Sequence, residues 1–258
     1  MKLKYLSIFA ASTIISAGLL TSSCSEMTKM SSQLGSVGTV AQALSTGEIT
    51  AGLKEALNIG VKLGVQQLSA KNGYYNDLVC KIGLPEEASV IVANISKIPG
   101  GSKLVDNVIK SINAAATDAV AETVPIFANA ITSMTIDDAK KILKGDKTAA
   151  TSYFKGKTKA SLKSLFAGYI NKSIQKKLVG DVSAQSSWDA LTSKWNVIAG
   201  SAAGKIAGFK VVKTDLSDYL TDKAVDGLYY KVGEQEKKIR TQASARTTTL
   251  LKKVFAHQ

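Results

Sequence analysis

Apolar residues recur every three or four positions through most of the chain, which is the period of an amphipathic α-helix. In the clearest stretch, Ser45 and Glu48 have the spacing of a capping box, in which each side chain accepts a hydrogen bond from the other residue's backbone N–H. The apolar positions behind this box share one helical face: Ile49, Leu53, Leu57, Val61, Val65 and Leu68. The pattern predicts a long helix that begins after Ser45 and ends near Asn72 and Gly73.

The same period continues between further boundaries. Pro85, followed by two glutamates, is typical of a helix first turn, and Pro99 precedes a turn before a helix that opens near Ser102. Pro125 is predicted to begin a new helix or to kink the previous one. Thr135 and Asp215 are predicted N-caps. The remaining helices are predicted over 148–178, around the apolar stripe Trp188, Leu191, Trp195 and Ile198, and over 247–255, with a small-residue linker at 200–208.

Two short segments carry the only strand signal. Residues 78–83 are expected to form either a short strand or an extended lid, and residues 209–212 a second short strand. Because helical patterns account for nearly everything else, the predicted fold is all-α. We expect a single-domain, mostly antiparallel helical bundle of seven to nine helices, with two very short extended segments.

The first two dozen residues have a different pattern. Lys2 and Lys4 precede an apolar run over 6–20, which is shorter than the roughly 20 residues of a transmembrane helix. Small residues ending at Cys24 follow the run, and this arrangement resembles the lipobox of bacterial lipoproteins, whose cysteine is acylated after cleavage. An ordinary secretory signal with an incidental cysteine is the alternative. The predicted division is a signal peptide over 1–23, a flexible lipidated tether over 24–46 and a helical domain over 47–258.

The predicted signal peptide and the lipobox-like cysteine indicate where the protein is located and limit its chemistry. We expect the protein in the bacterial cell envelope, anchored to the membrane through lipid on Cys24 and facing the periplasm, at the outer membrane. Lipidation would leave Cys80 without a disulfide partner, and its apolar neighbours predict a buried, inert thiol. The single histidine, His257, is next to the C-terminus, which argues against most zinc sites and against Ser-His-Asp or Cys-His catalysis.

Several separated motifs resemble one bacterial family. They are LPEE (84–87), KGD (144–146) with TAATSYFK (148–155), KAVDGLYY (223–230), EKKIR (236–240), and ARTT with LLKKVF (245–255). Together they are similar to the family called domain of unknown function 4197, over residues 48–255. The resemblance implies a helical, often exported protein and assigns no activity.

Positive charge dominates the chain and is concentrated in one region. Loss of Lys2 and Lys4 with the signal would leave 31 basic and 20 acidic residues, a net charge of +11. Residues 140–177 hold eleven lysines and one acid. Lys155, Lys159 and Lys163 form a helical stripe that suits an anionic surface such as phospholipid headgroups, or else a solvated face with lysine stems over the core edge. The exported location argues against nucleic acid, which the charge alone would permit.

Arginine is used only twice, at Arg240 and Arg246, in a chain that otherwise uses lysine. A guanidinium offers a fork for bidentate contact with carboxylate or phosphate, so these residues are candidates for an anion-binding site, together with Tyr229 or Tyr230. The other interpretation is structural: pairing with Asp218, Asp222 or Asp226, or with helix-end carbonyls.

Aromatic residues suggest a second kind of site, an apolar pocket. Trp188, Trp195 and Tyr229, with Tyr230, are candidate pocket residues, and Phe166, Tyr169 and Phe209 are further candidates for its lining. A stripe of aromatic residues at helical spacing more often belongs to the core.

Catalytic motifs fail on inspection. Ser152 and Lys155, and Ser173 and Lys176, match an S-x-x-K pattern, but no K-T-G element follows. No carboxylate set has metal-ligand spacing, so no catalytic residue, metal or cofactor is predicted. The expected function is that of a non-enzymatic envelope lipoprotein that binds an anionic lipid, a small amphipathic ligand or an envelope partner. The alternative is a structural or assembly protein that docks on membrane or a protein complex through its basic face.

Overall fold

The computed structural model of the chain describes residues 44–256. Cys24, His257 and the predicted signal peptide lie outside them. The described residues form ten α-helices: α1 (Thr46–Ser69), α2 (Ser89–Ala93), α3 (Gly101–Val120), α4 (Val124–Thr132), α5 (Ile136–Lys144), α6 (Ala149–Ser173), α7 (Ala184–Gly200), α8 (Ala202–Ile206), α9 (Leu216–Thr241) and α10 (Thr249–Val254). Single 3₁₀ turns lie at Glu86–Ala88, Ile95–Lys97, Ala121–Thr123 and Ala243–Ala245.

This architecture confirms the all-α prediction. Seven of the ten helices have nine or more residues, and the other three are short helices of five or six residues. One of the short helices, α8, lies inside the segment that was expected to be a linker, and α6 ends at Ser173 rather than near Leu178. The fold class therefore follows from the hydrophobic period, while the ends of elements differ by a few residues.

Side-chain caps fix several helix starts. Capping boxes open α1 at Ser45 with Glu48 and α5 at Thr135 with Asp138, and Asp215 accepts from the backbone N–H of Asp218 at the start of α9. Pro125 lies in the first turn of α4, which a 3₁₀ turn joins to α3. These caps satisfy backbone donors that would otherwise lack partners, and each contributes on the order of 1 kcal/mol.

Neither of the two segments with strand signal, 78–83 and 209–212, forms a strand; both lie in loops. Among the described residues the one β-type pairing is an isolated bridge between Val179 and Val182. In the first loop, the side-chain amide of Asn113 accepts from the N–H of Ile82 at 2.9 Å and donates to its carbonyl oxygen at 2.8 Å. In the second, Asn196 bonds both backbone groups of Val212 in the same way. One asparagine thus takes the place of a neighbouring strand in each loop.

Helix α9 organises the core. It packs extensively against α1 and α6, while α1 also contacts α4, α5 and α10, and α3 contacts α6 and α7. The short α10 fits against α1 because Gly52 has no side chain: a Cβ there would lie 2.5 Å from Cγ2 of Val254. The described residues form one compact unit that begins at Leu44, so removal of the predicted signal peptide leaves this unit whole.

Membrane-spanning helices need about 20 predominantly apolar residues. No single described helix is both long and apolar enough to cross a bilayer. The segments Gly101–Thr132 and Ile136–Lys144 meet the length and composition criteria only as a pair bent by 103°.

Candidate functional site

An ion-pair ladder joins α6 to α9 along their exposed edges. Lys163 contacts Asp222 at 2.9 Å and Asp218 at 3.1 Å, while Lys155 and Lys159 contact Asp226 at 3.1 and 3.4 Å. The lysine numbers rise as the aspartate numbers fall, as two antiparallel helices require.

The ladder neutralises the predicted lysine stripe. Burial would raise the pKa of Asp226, but Lys155 and Lys159 lower it below its ordinary value. These side chains are 36–67% exposed, and exposed pairs each contribute well under about 1 kcal/mol. The ladder sets how α6 and α9 lie beside each other more than it stabilises the fold.

A surface groove begins where the ladder ends and follows α6 and α9 toward the C-terminus of α9. Its volume is about 730 Å³, within the usual range for small-molecule sites. The groove is lined by Thr148, Thr151, Ser152, Lys155, Asp226, Tyr229, Tyr230, Gly233, Glu234, Lys237, Lys238, Thr241 and Gln242. We call it the α6/α9 groove. It combines hydroxyl groups, lysines and two aromatic rings.

The two tyrosines of the groove differ in exposure. Tyr229 is buried, its hydroxyl lies 2.6 Å from that of Thr158, and its ring meets Phe127 edge-on at 5.8 Å. Tyr230 is 42% exposed. Tyr229 therefore gives the groove a fixed apolar wall, while Tyr230 is accessible to a ligand.

Two lysines of the groove lack an acidic partner among the described residues. Lys237 and Lys238 are exposed and make no ion pair within the described part of the chain. Lys155, by contrast, shares Asp226 with Lys159, and Glu234 pairs with Lys231 at 2.7 Å. The end of the groove near Thr241 is consequently the more basic one.

A buried ion pair lies beneath this basic end. Glu236 accepts from the backbone N–H groups of Ala150 and Thr151 at 2.9 and 2.8 Å and from the Thr151 hydroxyl at 2.8 Å. Its fourth donor is Nε of Arg240, also at 2.9 Å. The carboxylate thus caps the N-terminus of α6 from another helix, where the partial positive charge of the helix favours an anion.

The predicted anion-binding arginines are both engaged inside the protein. Arg240 is 3% exposed and also donates to the carbonyl oxygens of Ile142 and Leu143 at the end of α5. Arg246 donates to the carbonyl oxygens of Ile239 and Arg240 at the end of α9, both at 2.9 Å. These contacts agree with the structural interpretation in which the arginines bind helix-end carbonyl groups. The aspartates suggested as arginine partners pair with the α6 lysines instead.

The rim of the groove is held by a further ion pair. Lys231 lies 2.6 Å from Asp77 and 2.7 Å from Glu234, with its side chain 11% exposed. Burial would raise the pKa of Asp77, but hydrogen bonds from Lys231 and from the backbone N–H groups of Cys80 and Val79 lower it to about 2. This pair ties the 77–80 loop to α9 beside Tyr230.

The lowered pKa predicts a pH-dependent contribution to stability. Because the folded-state pKa of Asp77 is depressed, its contribution is present above about pH 4 and is lost as pH falls toward about 2. We expect Asp77→Asn to cost roughly 2 kcal/mol at neutral pH, with the difference from wild type vanishing at low pH. Urea unfolding at several pH values measures this. Asp106→Asn, at an exposed position of α3, is the control and should follow wild type at every pH.

The aromatic pocket predicted from sequence is divided between separate places. Trp195 is fully buried, packs against Phe209 with ring centroids 5.1 Å apart and ring planes tilted by 47°, and donates to the carbonyl oxygen of Lys210. Trp188 is 3% exposed and donates to the carbonyl oxygen of Thr214. Both tryptophans anchor the 209–215 loop on α7, and Phe166 belongs to the core. Only Tyr229 and Tyr230 of the candidate pocket residues line the α6/α9 groove.

Reactive groups outside the groove have structural partners. Ser173 and Lys176 both donate to the same oxygen of Asp118, at 2.6 Å each, which accounts for one of the S-x-x-K matches. Cys80 is buried, and burial, followed by the charge of Asp77, raises its thiol pKa to about 12. Among the described residues no group of three or more His, Cys, Asp or Glu side chains is arranged to hold a metal ion.

Sequence reasoning did not identify Lys237 and Lys238 as groove residues or Glu236 as the buried residue beneath them. Glu236, Lys237 and Lys238 all belong to the EKKIR motif that carries the family resemblance, so the signal was available. The sequence interpretation considered only the arginine of this motif, as an anion contact or as a structural residue, and did not consider its lysines. Along α9 the buried positions 236 and 240 pair with each other, and 237 and 238 face the groove.

Comparison with known proteins gives one match. A family model described as "Protein of unknown function (DUF4197)" matches residues 43–256. No curated protein and no solved structure matches the chain. The matched range includes every residue of the α6/α9 groove.

Proposed function

The chain belongs to the DUF4197 family, and we propose that this member is a lipid-anchored, non-enzymatic protein of the bacterial envelope that binds an anionic amphiphile in the α6/α9 groove. The family assigns no activity, so the proposal rests on the groove and on the lipobox-like sequence that ends at Cys24. The carrying observation is that Lys237 and Lys238, which make no ion pair with any described residue, line a groove that has an aromatic wall.

The chemistry of the groove suits a ligand with a charged head and an apolar body. Lys237 and Lys238 can donate charge-assisted hydrogen bonds to a phosphate or carboxylate, which are stronger than neutral ones. Ser152 and Tyr230 offer further hydroxyl contacts nearby, and the Tyr229 ring supplies apolar contact. The buried Glu236–Arg240 pair lies beneath and is fully engaged, so it supports the groove without competing for the ligand.

The alternative function, docking through the lysine stripe of α6, has less support. Each of Lys155, Lys159 and Lys163 lies within 3.4 Å of an aspartate on α9. A surface whose charges are already paired exerts a weaker long-range attraction on an anionic partner.

Native mass spectrometry on the chain from Ser25 onward tests the proposal. We expect extra mass that dissociates on denaturation, and binding of dodecyl phosphate but not of an uncharged dodecyl amphiphile. Lys237→Gln/Lys238→Gln should weaken dodecyl phosphate binding by at least about tenfold, because it removes two charge-assisted contacts.

The matched control is Lys140→Gln/Lys141→Gln, an adjacent pair of exposed lysines on α5 that lies outside the groove. This variant has the same net charge as the groove variant and should bind like wild type. Equal loss in both variants would mean that binding follows overall charge and not the groove. A wild-type protein that carries no ligand and does not bind dodecyl phosphate would refute the proposal.

A further inference from the structure

A second hollow lies at the end of the bundle where the chain leads into α1. Its volume is about 1020 Å³, and we call it the N-terminal hollow. It is lined by Leu44, Leu143, Lys144, Gly145, Asp146, Lys147, Thr148, Arg240, Thr241 and Val254. Thr148 and Thr241 also line the α6/α9 groove, so the two depressions are neighbours. Three aliphatic side chains, those of Leu44, Leu143 and Val254, give the hollow an apolar component.

Exposed lysines lie in this hollow and next to its lining in the sequence. Lys144 and Lys147 line it, and Lys252 and Lys253 immediately precede the lining residue Val254 on α10. All four, here called the end lysines, are exposed and make no ion pair with any described residue.

The carboxylates close to the end lysines already serve as caps. Asp146 accepts from the N–H of Thr148 at 2.7 Å, and Glu48 accepts from the N–H of Ser45 at 2.9 Å. Glu48 also lies near enough to Lys253 for that lysine to lower its pKa, after the larger effect of its hydrogen bonds with Ser45. The fifth cation of the hollow, Arg240, is bound to Glu236. The net charge of the surface around the hollow is therefore positive.

The position of the hollow relates it to the predicted membrane anchor. Leu44 lies twenty positions after Cys24, and a chain of that length spans at most about 70 Å when fully extended. The attachment point of the tether on the folded unit is the rim of the hollow itself, because Leu44 lines it. An acyl anchor on Cys24 would keep this end of the bundle within reach of the bilayer.

We propose that the N-terminal hollow and its end lysines form the face that docks on a bilayer of anionic phospholipids. This inference rests on the membrane anchoring in the proposed function and extends it with a defined orientation. The ammonium groups would contact headgroup phosphates, while the neighbouring α6/α9 groove would open at headgroup level. Several basic residues on one face, beside a lipid attachment point, provide the second signal that stable membrane binding requires.

A competing explanation is that these lysines compensate helix dipoles. Lys144 is the last residue of α5, and Lys252 and Lys253 lie in the last turn of α10. This explanation predicts a change in stability when they are replaced and none in vesicle binding. Lys147 lies in the loop before α6 and compensates no helix C-terminus.

Vesicle sedimentation separates these explanations. The chain from Ser25 onward, which lacks acyl groups but keeps the whole compact unit, is mixed with vesicles of phosphatidylcholine alone or with 30% phosphatidylglycerol. We expect binding only to the anionic vesicles, and weaker binding as salt is raised. A basic residue near an anionic surface contributes roughly a fivefold factor. Lys→Gln at all four end lysines should therefore weaken binding by about 600-fold.

The matched control replaces four exposed lysines elsewhere, Lys103, Lys110, Lys177 and Lys213, with glutamine. It has the same net charge and should bind the vesicles within about threefold of wild type. The proposal is overturned if both variants lose binding equally, or if wild type does not distinguish anionic from neutral vesicles. Circular dichroism and thermal unfolding check the fold, and Lys144→Gln/Lys147→Gln, with half the charge change, should give an intermediate loss.

The same proteins distinguish this inference from the groove proposal. The end-lysine variant keeps Lys237 and Lys238 and should bind dodecyl phosphate like wild type. The groove variant should retain most of its vesicle binding. A variant that keeps the property assigned to its own lysines identifies which of the two proposals is wrong.

Discussion

Replacing Arg240 with methionine is expected to destabilise the protein by about 3–5 kcal/mol. Arg240 and Glu236 are 3% and 6% exposed, so the substitution leaves a carboxylate buried without its cationic partner. It also removes the donors to the carbonyl oxygens of Ile142 and Leu143, which connect the end of α5 to α9. Urea unfolding of wild type and variant at neutral pH gives the difference in free energy of unfolding.

Two comparisons identify the buried pair as the source of that loss. Lys237→Met, one turn earlier on the exposed face of α9, should change stability by no more than about 0.5 kcal/mol. In a Glu236→Gln background, Arg240→Met should cost distinctly less than in wild type, because no uncompensated charge remains. If Arg240→Met costs under about 1 kcal/mol, or costs the same in both backgrounds, the pair does not hold the α5, α6 and α9 junction as argued.

Local chemistry explains why much of the fold could be predicted. The capping boxes at Ser45 and Thr135 and the cap at Asp215 depend on residues three positions apart, so the sequence contains both partners. The apolar period of α1 is likewise local, and its predicted face is largely the buried one. Where both partners of an interaction lie within one turn of helix, their spacing in the sequence is sufficient to predict the interaction.

Tertiary partners could not be predicted in the same way. The lysine stripe of α6 was recognised, but its neutralisation depends on aspartates about 60 to 70 residues away on α9. The two interpretations of Arg240 stayed open, and Lys237 was not considered, for a related reason: helical phase distinguishes buried from exposed positions only once the packing partners are known. Counting charges along the sequence therefore located a basic region, but it did not identify which lysines make no ion pair with a described residue.

The 78–83 segment shows a different limit of sequence patterns. Its apolar residues suggested a strand, yet Leu78 is fully exposed and Val79 is 60% exposed, whereas Cys80 and Ile82 are buried. A strand needs a neighbouring backbone, and here that role belongs to the side chain of Asn113 on α3, 31 residues away. The sequence alone does not show which loop backbone a polar helix residue will hydrogen-bond.

This arrangement makes Asn113 the second position where a single substitution should have a large effect. Asn113 is fully buried and also donates to the carbonyl oxygen of Ile109 at 2.7 Å. Asn113→Ala leaves the N–H and carbonyl groups of Ile82 buried without partners, at roughly 1–3 kcal/mol each. We expect a total loss of about 3–4 kcal/mol in urea unfolding, and faster amide hydrogen exchange at Ile82.

Asn94→Ala is the control, because Asn94 also bonds a helical carbonyl, that of Val90, but from a less buried site. It should cost about 1 kcal/mol or less and leave exchange at Ile82 unchanged. Asp77 anchors the same loop from its other side through the N–H groups of Val79 and Cys80. Local loosening after Asn113→Ala should therefore centre on Ile82 and spare Cys80. Exchange that rises equally over the whole 77–84 loop would show that Asp77 and Asn113 hold it as one unit, contrary to the separate anchors inferred here.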